Sequence, residues 1–172
     1  MKKVLREVWD FMKLPLISCG LVLLFQNTVV AAAYIPTGSM EPTVMTGSRV
    51  IVNRLSYKEE EPDRGDIVCF IYPDNRKQNF LKRIMGLPGE TIQGIDGVIY
   101  INGKALEKDY TDIVFVNDFG PFTVPDDCYF MMGDNRNNSW DSRYWEHTYV
   151  PKEDIIGKAV IEFYPTVKSL TK

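Results

Sequence analysis

A serine, a lysine and one polar loop are the residues whose types could do covalent chemistry together. Ser39 sits between Gly38 and Met40 in the Pro-containing turn segment IPTGSMEPT, Ile35 to Thr43. A serine hydroxyl becomes a useful nucleophile only when a neighbouring base takes its proton. Lys82 could be that base. Period-two alternation through Asn79 to Met85 puts Phe80, Lys82 and Ile84 on one strand face, with Leu81, Arg83 and Met85 on the other. An ammonium group among apolar neighbours favours its neutral form, which can accept a proton. Either residue alone is a weak signal, because strand lysines commonly snorkel to the surface and Gly-Ser pairs are ordinary turn residues.

The third piece is GDNRNNSWDSR, Gly133 to Arg143, a dense polar loop between apolar Cys128 to Met132 and aromatic Tyr144 and Trp145. Its side chains can bond their own backbone and fix one conformation. A loop so fixed could hold a hydroxyl against the lysine amine. Ser139 and Ser142 both fit that role on the residues alone.

These residues need a rigid frame, and the pattern beyond Tyr34 is mainly β. Arg49 to Leu55, Asp66 to Tyr72, Asn79 to Met85, Val98 to Asn102, Cys128 to Met132 and Ala159 to Tyr164 read as short strands between Gly, Pro, Asn and Asp punctuation. Gly94, Gly97 and Gly103 bracket a hairpin, with Asn102-Gly103 as its turn or a neighbouring one. Glu59, Glu60, Glu61 and Asp63 around Pro62 read as an exposed loop.

The stretch Leu14 to Ala33 carries no charge and is about the ~20 residues that a bilayer-spanning helix needs. Pro15, Ser18, Gln26, Asn27 and Thr28 interrupt it. A retained anchor is the preferred reading; a cleaved signal peptide with Ala31 to Ala33 at its end, or a core helix over the shorter apolar run, are the alternatives. The formal charge of −3 divides into +2 over the first thirteen residues and −5 over the rest. A basic tip before an apolar stretch favours a cytoplasmic tip and an exported remainder. The expected organisation is therefore a cytoplasmic tip over 1–13, a transmembrane helix over 14–33 and an extracytoplasmic domain over 34–172.

Acidic overall balance argues against nucleic acid as a partner. Cys19 falls in the apolar stretch, which leaves Cys69 and Cys128 as the one pair able to bridge outside the cell, though each sits in an apolar context that suits a free thiol. With one histidine, His147, and no zinc spacing, neither a metal nor a cofactor is expected.

IPTGSMEPT, RGDIV at Arg64 to Val68, KRIMGLPGE at Lys82 to Glu90, and GDNRNNSWDSR stand in the order and spacing of the motifs of bacterial type I signal peptidases. The chain resembles the short, Gram-positive-like form of that family from its apolar stretch almost to its C-terminus. The resemblance implies a β catalytic core with a small inserted β cap, near 94–122. It implies Ser39 as nucleophile, Lys82 as general base, and an oxyanion hole from the Ser39 N–H and the Thr37 hydroxyl. Ser139 would orient Lys82, Asp141 and Arg143 would brace the site, and Asp134 and Asn135 belong to the same loop. Two positions depart from the family pattern: Ser48, where an acidic residue is common, and Glu146, where glycine is frequent.

By this resemblance the chain is a membrane-anchored monomeric serine endopeptidase that removes signal peptides from secretory preproteins, with small residues one and three positions before the cut. Its partners would be those preproteins and the lipid bilayer. A non-enzymatic pilin or surface-protein assembly chaperone is the alternative from another class. Two others are a Ser-His-Asp hydrolase using His147 and a cytosolic self-cleaving repressor; the latter would lack the apolar segment and carry a DNA-binding domain.

Overall fold

A computed structural model describes residues 2–107 and 109–171, with backbone alone for 2–5, 7, 8 and 23–27. An α-helix, α1 (Lys2–Thr28), leads into strand β1 (Val30–Tyr34), and a short 3-10 turn spans Lys152–Asp154. Then come β2 (Arg49–Asn53), β3 (Ile67–Ile71), β4 (Asn79–Gly86), β5 (Thr91–Ile95), β6 (Val98–Ile101), β7 (Lys104–Ala105) and β8 (Phe119–Thr123). The last are β9 (Cys128–Met132), β10 (Val150–Pro151), β11 (Ile155–Tyr164) and β12 (Lys168–Ser169). The main sheet runs β1-β2-β11-β3-β4-β9-β10, with β12 added to β11, and the second sheet runs β7-β6-β5-β8.

The apolar stretch 14–33 is not one helix. The helix ends at Thr28, and Val30–Tyr34 pair antiparallel with β2 so that Ala32 faces Ile51. The residue types account for the change: β-branched Val29 and Val30 lose rotamer freedom in a helix but suit a strand. Ala31 and Ala33 are small enough to bring this edge strand down on the core beside Ile35 and Met40. No helix among the described residues is long and apolar enough to cross a membrane. Within α1 the uncharged part, Leu14 to Thr28, is shorter than the ~20 residues a span needs. Its described apolar side chains are nonetheless uncovered, Trp9, Phe11, Leu14, Leu16 and Ile17 all being exposed.

Strands β3 and β4 are the spine that positions the site. Along β3, Ile67 and Cys69 enter one core cluster while Val68 and Phe70 enter another on the opposite face. A strand buried on both faces must read as a continuous apolar run, as IVCFI does. The register pairs Val68 with Lys82 and Ile67 with Arg83, so the one charged dipeptide of β4 is threaded through the middle of the sheet. Farther along, Met85, Ile92, Phe130 and Met132 form a third cluster that joins the two sheets.

The second sheet is made by tight turns. Asp96-Gly97 links β5 to β6 and Asn102-Gly103 links β6 to β7, each with positive φ at both positions (48° and 78°, 51° and 76°). This is the conformation that two-residue hairpin turns need and that Asp/Asn-Gly pairs supply. Asn102-Gly103 is thus the turn of the neighbouring hairpin. Cys69 and Cys128 are free thiols.

Candidate active site

Ser39 is presented by a turn tied at both ends. Ile35 N–H donates to Ser48 O at 2.9 Å and Gly47 N–H to Ile35 O at 2.7 Å, closing the segment onto the start of β2. Inside it, the Thr46 backbone N–H and hydroxyl donate to Glu41 at 3.1 and 2.8 Å and hold that carboxyl below its ordinary pKa. Met40 is fully buried in the first core cluster, a contribution of about 2 kcal/mol that fixes the residue next to the serine. Ser48 Oγ donates to the buried Glu162 at 2.6 Å, and Lys168 lies 2.9 Å from the same carboxylate. The acidic group that position 48 lacks is therefore supplied across the sheet from β11.

The polar loop clasps this turn. Asn135 Nδ2 donates to Gly38 O at 2.9 Å, and Asn135 N–H donates to Ser39 O at 3.1 Å. Gly133 packs directly between the two serine segments: a Cβ there would stand 2.3 Å from Ser39 O and 2.2 Å from Ser139 Oγ. Only a glycine allows the loop so close.

Lys82 comes from the other side, on β4, only 3% exposed. Its Nζ donates to Ser139 Oγ at 3.0 Å and lies 5.9 Å from the centre of the Phe80 ring. Burial holds its pKa down to about 8; Asp141 and, more weakly, Asp134 pull it upward, while Arg143 pushes it down. A neutral amine that donates one N–H to Ser139 still has its lone pair free to accept a proton.

The two serines left open by the sequence have different partners. Ser142 Oγ accepts from Met131 N–H at 2.9 Å, and Ser142 N–H donates to Met131 O, so this serine splices the loop to β9. Ser139 faces the lysine. Beneath them Asp141 accepts from Gly133 N–H at 3.0 Å and from Arg143 at 2.8 and 2.9 Å. Arg143 also donates to Arg136 O at 2.7 Å. Asp134 receives both Nε and Nη2 of Arg83, at 2.8 and 2.6 Å, and Arg83 reaches Gly65 O as well. Both ion pairs are almost completely buried, where only a fully hydrogen-bonded geometry offsets desolvation.

Ser39 and Lys82 line one cleft of about 620 Å³. Thr37 and Gly38 border it beside the serine, Ala32, Ala33 and Ile35 form one wall, and Phe80, Leu81, Asn138 and Trp140 continue it beyond the lysine. Thr37 is exposed. The Cys69 thiol also reaches the cleft, but burial pushes it up to about 11, so it stays protonated. His147 pairs with Asp74 at 2.9 Å, is 68% exposed and does not line this cleft. Among the described residues no group of His, Cys, Asp and Glu could hold a metal ion.

Sequence reasoning missed several supports. The Arg83–Asp134 pair, the Arg136–Asp109 pair that ties the loop to the segment between β7 and β8, and Trp140 were not singled out. Arg83 carried a usable signal, being a charge at the centre of a strand buried on both faces.

A mainly β frame thus brings a serine, a buried lysine and a glycine-tight polar loop to one cleft. The family described as signal peptidase, peptidase S26, matches residues 8–164, and the chain belongs to it. It is 44% identical over 142 residues to a probable signal peptidase I-2 of Synechocystis, covering 80% of this chain and 64% of that one. It is 43% identical over 156 residues to a signal peptidase I of Leptolyngbya laminosa, covering 87% and 76%. Signal peptidase I S of Bacillus subtilis is 36% identical over 171 residues, 93% of this chain and 91% of that one. Among solved structures, a signal peptidase I from Enterococcus faecalis superposes with a TM-score of 0.51 at 35% identity, covering 59% of this chain and 98% of that one.

Proposed function

We propose that this chain is a membrane-anchored endopeptidase that removes signal peptides from secretory preproteins with a Ser39–Lys82 dyad. The observation that carries the reading is the amine of Lys82. It is buried, has a pKa lowered to about 8, and hydrogen-bonds Ser139 in the cleft that Ser39 also lines.

The reaction follows from these groups. Neutral Lys82 accepts the Ser39 hydroxyl proton as Oγ bonds to the scissile carbonyl carbon, and the oxyanion takes hydrogen bonds from the Ser39 N–H and the Thr37 hydroxyl. The C–N bond then breaks as Lys82 returns that proton to the departing amine, leaving an acyl-Ser39 ester. Water gives a proton to Lys82 while its oxygen attacks the ester carbonyl. Collapse of that adduct breaks the C–Oγ bond and restores the Ser39 hydroxyl with the lysine's proton. Ser139 keeps the lysine aimed, while Asp141, Arg143, Asp134 and Asn135 hold the loop. A preference for small side chains before the cut is what the family resemblance implies.

The N-terminal segment is the proposed anchor, its basic tip cytoplasmic and the β domain outside. Its uncovered apolar side chains support this, since an exposed apolar face of that extent on a soluble surface is unfavourable. The test is cleavage of a preprotein in detergent or liposomes by wild type and Ser39→Ala, with N-terminal sequencing of the product. Release of a mature chain after a small residue, lost in Ser39→Ala, is the expected result. Equal cleavage by Ser39→Ala overturns the dyad, and a folded chain that never cleaves turns the reading toward an assembly chaperone.

A further inference from the structure

Trp140 follows Ser139 in the chain and lines the same cleft, yet 55% of its surface is exposed. Its orientation is nevertheless fixed. Nε1–H donates to the Tyr72 hydroxyl at 3.0 Å, and that hydroxyl donates to Asp74 at 2.9 Å. The Tyr72 ring stacks on Phe80 at 4.2 Å with 4° between planes, and the Trp140 ring stacks on Tyr144 at 5.8 Å and 15°. An aromatic shelf thus runs from Tyr144 through Trp140 and Tyr72 to Phe80, the residue beside the Lys82 amine. A large apolar face left uncovered but immobilised has already lost the entropy that binding would otherwise cost.

The direction of the chemistry says which part of a substrate meets this shelf, on the reading that Ser39 and Lys82 cleave peptides. The departing amine takes its proton from Lys82, so the chain beyond the scissile bond leaves on the lysine side, past Ser139 and towards Trp140. The residues before the bond lie on the opposite side, along Ile35 to Gly38 and the alanines of β1. We propose that Trp140 forms a subsite for one apolar or aromatic side chain among the first two residues after the cut. It is a specificity-determining residue on the mature side.

The test uses the full chain in detergent and preproteins that differ only at those two positions, Ala-Ala, Phe-Ala and Ala-Phe. The quantity read is the ratio of kcat/KM for each Phe substrate to that for Ala-Ala. A stacked aromatic pair corresponds to roughly 3- to 10-fold in this ratio at one of the two positions. Trp140→Ala is expected to bring the ratio near one, while Trp140→Phe, which keeps a ring but not the Nε1–H, retains most of it. A wild-type ratio near one at both positions overturns the subsite and needs no variant. So does a Trp140→Ala enzyme in which all three substrates fall equally, because that pattern marks a structural role. Failure of wild type to cleave even Ala-Ala instead overturns the Ser39–Lys82 reading on which the subsite rests.

Discussion

Gly133 approaches Ser39 so closely that a single added carbon would stand 2.3 Å from the Ser39 carbonyl oxygen. The same carbon would stand 2.2 Å from Ser139 Oγ, the atom that receives the Lys82 hydrogen bond. One backbone position therefore sets the spacing between the turn that carries Ser39 and the hydroxyl that accepts the Lys82 hydrogen bond. The loop bearing Gly133 is held in turn from β9 by Ser142 and from beneath by Asp141.

Gly133→Ala should accordingly separate folding from catalysis. The nearest atom of the serine turn is backbone, which cannot swing aside, so the turn and loop must part. A displacement of that kind costs on the order of 100-fold in kcat/KM, while overpacking costs about 1–3 kcal/mol of stability. Preprotein cleavage and urea unfolding on the same sample measure both. Wild-type kinetics in a folded Gly133→Ala protein would contradict the packing argument.

The two loop serines should fail in different ways. Ser139→Ala removes the acceptor of the Lys82 bond and should lower kcat by on the order of 100-fold, the cost of a misplaced reacting group. Losing that acceptor also disfavours the ammonium form, so the pH at which activity rises should move down. Ser142→Ala leaves the buried Met131 N–H without its partner and should cost about 1–3 kcal/mol of stability. A pH–rate profile and a denaturation curve for each variant tell them apart; matching behaviour of the two would refute the assignment of separate partners.

Asp134 and Arg83 should cost less to lose together than the sum of their separate losses. Asp134→Ala leaves a guanidinium only 7% exposed without its bidentate partner, and breaking a buried pair in this way costs about 3–5 kcal/mol. In the double variant Arg83→Met, Asp134→Ala no stranded charge remains. A double-mutant cycle by chemical denaturation should find the double variant less destabilised than the sum of the singles. Simple additivity would mean that the two side chains act independently.

The strands that carry the site were legible because their patterns are local. Arg49 to Leu55 and Asp66 to Tyr72 each contain an observed strand, one or two residues shorter at an end, and Asn79 to Met85 stops one residue short of the strand that ends at Gly86. The strand face of Lys82 was legible for the same reason, since alternation puts it with Phe80 and Ile84, but its chemistry was not, because strand lysines commonly snorkel to the surface. The end of the helix was not: Val30–Tyr34 is as apolar as the segment before it, and its pairing with β2 is a tertiary contact. Ser139 and Ser142 could not be separated because loop residues point where long-range bonds direct them. Short strands such as β7, β10 and β12 are two residues each and exist only through their partners.

The lysine itself yields the last prediction, in which activity and stability oppose each other. With a pKa lowered by burial to about 8, Lys82 is mostly charged at pH 7 and neutral above 8, so cleavage should rise with pH through that region. In the unfolded chain the group returns to its ordinary value near 10.5, so below pH 8 the folded protein bears the cost of a buried ammonium. Between about 8 and 10.5 the unfolded state binds more protons, and stability contributed through this residue rises with pH until the cost is gone. The difference corresponds to roughly 3 kcal/mol, against which loss of the Ser139 hydrogen bond is about 1 kcal/mol. Lys82→Met should therefore be inactive yet more stable than wild type by about 2 kcal/mol at pH 7, with the gap narrowing towards pH 10. Urea unfolding of both proteins at pH 7 and pH 10 measures this. A methionine variant less stable than wild type at pH 7, or a gap that does not change with pH, would show that the buried amine carries no such cost.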